Sequence, residues 1–203
     1  MPSLSSFDKG KKSHENKTYQ EDIDCGNAAL DLFFDTLDKN WRGHKKKCTK
    51  IFLMGNHEVR IRRAWELGDA TLRETMRRLK PDFSRFDRVI PFLRPIKAGG
   101  VMFAHYAPND NSGKAIGRAH MILNKRHRSF VVGHQQGFDY HEQLTGDGKI
   151  IHGIIAGSCY LHEEAYKGPC NHHFRGTIIL RNARDGMFDL EKWSLTRIIE
   201  NFK

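Results

Sequence analysis

The rhythm of apolar and polar positions changes several times along the chain, and each change predicts a different kind of element. Residues 1–20 are polar, rich in Ser and Lys and without periodicity, which predicts a loop or a poorly ordered start. Over residues 21–39, Ile23, Leu30, Phe33, Phe34 and Leu37 fall near helical spacing, and acidic side chains crowd the early part, where a helix dipole favours them. Asn40-Trp41-Arg42-Gly43 breaks that pattern. The run Ile51-Phe52-Leu53-Met54 then reads as a buried strand. Gly55 lets the backbone turn sharply after it, so that Asn56 and His57 emerge at the strand's carboxyl end, where open α/β sheets place their sites.

Helices are predicted for residues 58–67 and 71–79, separated by Gly68-Asp69 and ended by Pro81. Residues 89–93 and 97–104 read as strands, with a turn at Gly99-Gly100, and residues 115–124 as a helix whose amino end Gly113 and Gly117 leave open. From Ser129 the pattern becomes β-rich, with strands at 129–132, 138–143, 149–156, 176–181 and 187–194. Thr145-Gly146-Asp147-Gly148 and Arg184-Asp185-Gly186 are good hairpin connectors. Helix alternating with strand first, then consecutive strands, predicts an α/β fold in which a sheet carries helices on one face and packs a second sheet on the other. A chain of 203 residues can bury one substantial core, so the expected organisation is a polar loop at 1–20 and one domain at 21–203.

Composition adds a partner and a setting. The chain carries 34 Lys and Arg against 24 Asp and Glu, a formal charge of +10, with basic clusters at Lys45-Lys46-Lys47, at Arg60, Arg62 and Arg63, and at residues 126–128. Such a surface concentrates polyanions, which points to nucleic acid or another phosphate-bearing partner; solvated helix faces are the ordinary alternative. The four cysteines are widely spaced and there is no secretory leader, which predicts a reduced, cytoplasmic setting. No apolar run reaches the roughly 20 residues needed to cross a bilayer, so a membrane partner is not expected.

Three strand ends deliver the candidate chemistry. Besides Gly55-Asn56-His57-Glu58, the apolar segments Val101-Met102-Phe103-Ala104 and Phe130-Val131-Val132 end in His105 and in Gly133-His134. An amide oxygen and two neutral imidazoles suit a divalent ion of the zinc, manganese or iron kind. His57, next to Asn56, is free in this reading to act as a proton donor.

Taken in order, Gly-Asn-His-Glu, a strand-end His and Gly-His-x-Gln resemble the calcineurin-like metallophosphoesterase superfamily. The likeness runs from about Ile51 to Ser194 and is closest to phage-encoded members, with His105-Tyr106-Ala107-Pro108-Asn109 and Ile155-Ala156-Gly157-Ser158 among the matching pieces. It implies a four-layer α/β/β/α sandwich holding two divalent ions (Mn, Zn, Fe or Ni) that clamp a phosphate ester. Asn56, His105 and His134 match the ligands of one ion, and His57 matches the histidine that protonates the leaving oxygen or stabilises the transition state. The other ion's Asp-x-His and Gly-Asp-x-x-Asp motifs have no counterpart here. Gly68-Asp69 and Gly146-Asp147 are the only Gly-Asp pairs and both follow Asn56, while Gln136 stands where the family's Gly-His-x-His has its last histidine. In phage relatives a segment like residues 1–10 follows directly upon Gly-Asp-x-x-Asp. Met1 therefore looks like an internal methionine, and the sandwich is expected to be incomplete, lacking its first βαβ unit. A late start codon, an interrupted frame and a truly shortened protein all fit. Without a bridging carboxylate, the chain alone is expected to bind at most one ion, weakly, and to turn over phosphoesters poorly.

Other residues have two readings each. Arg60 either reaches a substrate phosphate or lies on a helix surface. His162, Glu163 and His173 follow the Ala156-Gly157-Ser158 segment, which the resemblance places near the metals, and are substrate contacts or surface residues. Cys159, His162, Cys170, His172 and His173 are zinc-capable, but their spacing matches no common finger and Cys159 is expected to be a buried thiol. His141 and His152 read as structural; Asn109, Asp110 and Asn111 read as a turn. The expected function is metal-dependent hydrolysis of a phosphoester, with a nucleic-acid or nucleotide phosphodiester as substrate, by a phage-encoded protein in the host cytoplasm. The alternative is a non-catalytic remnant that binds nucleic acid or a protein through its basic surface. Oligomeric state is open.

Overall fold

A computed structural model describes residues 3–4, 18–41, 43, 48–161, 163 and 172–202. The chain is mixed α/β, with five helices among the described residues, and divides into two compact units, Met1–Phe92 and Leu93–Lys203.

In the first unit, helix α1 spans Tyr19–Trp41, longer at both ends than its apolar spacing predicts. The early start has a local cause. Thr18 and Glu21 form a reciprocal cap: the Glu21 amide donates to Thr18 Oγ1 at 3.2 Å and the Thr18 amide donates to Glu21 Oε2 at 3.0 Å. Tyr19 is thereby drawn into the core beside Ile23 and Met76, and its hydroxyl donates to the Leu79 carbonyl at 3.0 Å. Strand β1, Ile51–Leu53, leads into helix α2, Asn56–Leu67, and then helix α3, Ala70–Arg78. The break between the helices falls at Gly68-Asp69, as the sequence predicts, and the Asp69 carboxylate accepts the Leu72 amide at 2.8 Å to start α3. Strand β2, Arg88–Ile90, pairs in parallel with β1.

In the second unit, Gly99 and Gly100, at φ of 56° and 83°, divide the expected 97–104 strand into β3, Ile96–Ala98, and β4, Val101–Ala104, which pair antiparallel. Helix α4 is Ala119–Arg126 and begins four residues later than its apolar pattern suggests. Upstream, Ala115 is held in a bridge to Pro108, and the Ile116 amide donates to the Ala107 carbonyl. The helix starts where the Asp139 carboxylate accepts the Ala119 amide at 2.9 Å. Strands β5, Phe130–Val132, β6, Phe138–Leu144, and β7, Ile150–Ala156, complete a five-stranded sheet of order β3-β4-β5-β7-β6, in which β4, β5 and β7 run parallel. Strands β8, Gly176–Arg184, and β9, Met187–Ser194, form a hairpin. The seven-residue helix α5, Leu195–Asn201, follows where the sequence pattern predicts no element.

Strand alternation separates two cores on the faces of this sheet. Ala104, Phe130, Val132 and Ile155 pack with Ile122 of α4 on one face; Val101, Val131 and Ile154 face Ile178, Leu180, Phe188 and Leu190 of the hairpin on the other. The second unit is therefore layered helix, sheet, hairpin. Gly153 sits where β7 passes under α4, and a Cβ there would lie 2.7 Å from the Ala119 carbonyl oxygen. Gly153→Ala is expected to destabilise the protein by about 1–3 kcal/mol in urea unfolding, as overpacked cores do; an unchanged midpoint would show that α4 is free to give way.

One titratable group is buried between the sheet and the hairpin. His152 is 5% exposed, lies against the Phe188 ring, and has Nε2 without a hydrogen-bond partner. Burial holds its imidazole below the ordinary 6.5, against the weaker pull of the Glu142 carboxylate. A folded-state value below the unfolded one gives stability that is present above about pH 6.5 and lost as pH falls through it. Urea midpoints at pH 7.5 and pH 5.5 should therefore drop more for the wild type than for His152→Gln, and equal drops contradict this account.

Candidate functional site

Candidate residues stand in both units. In the first unit, β1 ends at Leu53, the buried Gly55 caps α2, and Asn56 and His57 occupy the first turn of that helix rather than a free loop. Glu58 explains the early helix start, because its Oε2 accepts the Gly55 amide at 2.6 Å. The acid of Gly-Asn-His-Glu is thus committed to capping. Asn56 is half-buried and His57 exposed. Arg60, one turn further on, lies on the same helix face as both and is half-buried.

In the second unit, parallel pairing of Ala104 with Val132 brings the carboxyl ends of β4 and β5 side by side. His105 follows β4 directly, and His134 follows β5 after Gly133. Their rings meet, with Nε2 of His105 3.1 Å from Nδ1 of His134 and ring centroids 5.0 Å apart. His134 adopts φ of 65°, a left-handed backbone that non-glycine residues rarely take and that clusters at functional sites. Although His134 is exposed as a residue, its ring lies against Tyr106, 4.9 Å between centroids, and loss of solvation lowers its proton affinity. The imidazole is therefore neutral near pH 7, the form a metal requires.

The loop after His105 is held from several sides. Tyr106 Oη donates to the Gly113 carbonyl at 3.2 Å, and Arg126, at the end of α4, donates to Asp110 at 3.0 Å and to the Pro108 carbonyl. Asn109, Asp110 and Asn111 form the turn that the sequence predicts, with Asn109 Oδ1 accepting the Asn111 amide. After β5, Gln135 Nε2 donates to the Ile116 carbonyl at 2.6 Å, and Gln136 is half-buried in the same loop. Gly157, at φ of 80°, closes the gap between that loop and the next: a Cβ there would lie 3.0 Å from the Phe174 ring and 3.5 Å from the Gln136 carbonyl oxygen.

Beyond Gly157, Ser158 Oγ and Nε2 of His173 are 2.9 Å apart, with Tyr160 Oη 3.4 Å from the same nitrogen. His173 is thus a built part of the second unit rather than a loose surface residue. His162 and Cys170 lie outside the described residues, as do residues 45–47. Cys159 is exposed, contrary to the buried thiol expected after an apolar strand, because β7 ends at Ala156 and Gly157 redirects the chain. His152 is packed and His141 is exposed beside His120, with ring centroids 5.8 Å apart. Pattern reading missed Tyr106, Arg126 and Arg175. The fixing contact of Arg126 to Pro108 spans 18 residues, which no local periodicity reveals.

Among the described residues no three His, Cys, Asp or Glu side chains gather as a metal site, and no helix is long and apolar enough to cross a membrane. Comparison with family models, with curated proteins and with solved structures returns no match to this chain.

The desolvation of His134 makes a direct expectation. A proton NMR titration of the ring resonances should place its midpoint below 6.5; a midpoint at or above that value would mean the ring is solvated and the packing against Tyr106 is absent in solution.

Proposed function

We propose that this chain is a calcineurin-like, metal-dependent phosphoester hydrolase of the phage type, acting on a nucleic-acid or nucleotide phosphodiester and weakly active by itself. The observation that carries the reading is the imidazole pair at the ends of β4 and β5. Two nitrogens each about 2.1 Å from one ion, at angles of about 90–110°, stand roughly 3.0–3.4 Å apart, and the His105–His134 nitrogen separation is 3.1 Å. The donor chemistry of the second unit fits one ion, two neutral imidazoles with Gln136 as a weak amide donor, and Asn56 is assigned to that ion by the resemblance alone. It does not fit the two-ion arrangement of the incomplete four-layer sandwich, because Glu58 is spent on its helix cap and no bridging carboxylate is present among the described residues.

A bound Mn, Zn, Fe or Ni ion supplies a Lewis acid for the phosphoryl oxygens. The remaining tasks belong to the chain. His57, exposed on the first turn of α2, donates a proton to the leaving oxygen. Arg60, one turn away, supplies a planar cation for a phosphate oxygen, and His173, whose Nε2 is held by Ser158 Oγ, is assigned to substrate by the resemblance alone. His162 is assigned to substrate by the resemblance alone. The formal charge of +10 favours a polyanionic substrate.

A second reading, a non-catalytic protein that binds nucleic acid or a partner through its basic surface, is favoured by the excess of 34 Lys and Arg over 24 Asp and Glu. Calorimetric titration with Mn²⁺ and hydrolysis of bis(p-nitrophenyl) phosphate separate the two. One weak site is expected, lost in His105→Ala and His134→Ala and weakened at least about tenfold in Asn56→Ala. His57→Ala should leave the isotherm unchanged and lower turnover about a hundredfold. Two tight sites, or an isotherm indifferent to His105→Ala, contradict the metal assignment; bound metal without turnover favours the binding protein.

A further inference from the structure

Strand β6, Phe138–Leu144, is the outer strand of the five-stranded sheet, and among the described residues it pairs with β7 alone. Its register is unbroken from the hairpin turn, where the Thr145 amide donates to the Lys149 carbonyl at 2.8 Å. Alternation from Thr145 aims the amides and carbonyls of Asp139, His141 and Gln143 at β7, and those of Phe138, Tyr140, Glu142 and Leu144 outward. The outward row ends in Leu144, 70% exposed. An edge of this length with neither Pro nor Lys in it is a template for another strand.

The strand is complementary to itself. When two copies pair antiparallel about a two-fold axis, opposite residues must share a face of the sheet, and only a register centred on His141 does this while engaging all seven residues. Phe138 then covers Leu144 of the other copy, Asp139 faces Gln143, and Tyr140 faces Glu142, so no two carboxylates oppose each other. Centring on Tyr140 leaves Leu144 beyond the other strand's end, and centring on Asp139 or Glu142 sets like charges face to face.

In the His141 register that residue meets its own copy at a pair without backbone bonds, where Cα atoms approach to about 4.5 Å and side chains are closest. The side chain stands on the α4 face of the sheet, the face from which Asp139 caps Ala119. Next to Ala119 is His120, exposed like His141, with the two ring centroids 5.8 Å apart and the planes at 70°. Imidazoles that share a tetrahedral zinc ion at about 2.0–2.1 Å have centroids about 5–6 Å apart. The two-fold axis is perpendicular to the sheet, so α4 of both copies lies on one side of it and four imidazoles converge there.

We propose that two copies of this chain join through β6 and hold one zinc ion between His120 and His141 of each. One copy supplies two ligands; two copies complete the four of a closed structural site. A single strand edge is a small interface beside the roughly 1,200–2,000 Å² of stable complexes, and the ion supplies what the edge lacks, so the dimer depends on zinc. None of these residues belongs to the His105–His134 site.

Sedimentation velocity of the full chain at pH 7.5, in chelator and with half an equivalent of Zn²⁺, tests this. The wild type should sediment as a monomer in chelator and at twice that mass with zinc. His120→Ala and His141→Ala, both at exposed positions, should stay monomeric with zinc, while His105→Ala should still dimerise. Glu142→Pro removes an outward amide at an edge position, where Pro is tolerated, and should also abolish the dimer; circular dichroism melts in chelator confirm that each variant folds, and His120→Ala carries the test if a β6 variant does not. A wild type that stays monomeric with zinc overturns the proposal. So does a zinc-dependent dimer that survives His141→Ala or a folded Glu142→Pro, or one lost in His105→Ala alone. Turnover enters none of these measurements, and the hydrolase reading stands or falls separately.

Discussion

Parallel pairing of β4 with β5 is the constraint on which the candidate site depends. With Ala104 opposite Val132, both strands release their chains at the same edge of the sheet, and the two histidines that follow have nowhere to go but toward each other. An antiparallel register would have sent them to opposite ends. The pairing itself is held by burial on both faces, since Ala104 and Val132 pack toward α4 while Val101 and Val131 pack toward the β8–β9 hairpin. Parallel strands need such cover, and the run of apolar residues in β5 reflects it.

Around that edge the chain spends its polar contacts on holding loops. Arg126 closes the turn after His105, Gln135 closes the one after His134, and Gly157 allows the third loop to come within contact of the second. His134 in a left-handed backbone is the point where this bracing meets strain, and the cost is carried by the surrounding hydrogen bonds. Loops of this kind, braced by a rigid sheet, are where binding chemistry usually resides.

Much of this was legible in the sequence, for a definable reason. Strand ends were marked by apolar runs that stop at His105 and His134, and the hairpin turns by Gly148 and Gly186, so β5, β7 and β9 appear close to where the pattern predicts them. Helix starts were harder, because caps decide them and caps act at a distance of a few atoms. The Thr18–Glu21 cap was present in the sequence as Thr-x-x-Glu, yet the polarity of the residues before it masked the signal. The start of α4 could not be read locally at all, since the carboxylate that fixes it belongs to Asp139, 20 residues away. Glu58, the carboxylate of Gly-Asn-His-Glu, is occupied by its own helix, accepting the Gly55 amide.

The central claim is that His105 and His134 place two imidazole nitrogens on one divalent ion. Electron spin-echo spectroscopy of the protein with bound Mn²⁺ reads those nitrogens directly. The account predicts modulation from two imidazole nitrogens, abolished together with metal binding in either single alanine variant. A spectrum showing only water and no nitrogen coupling would contradict it.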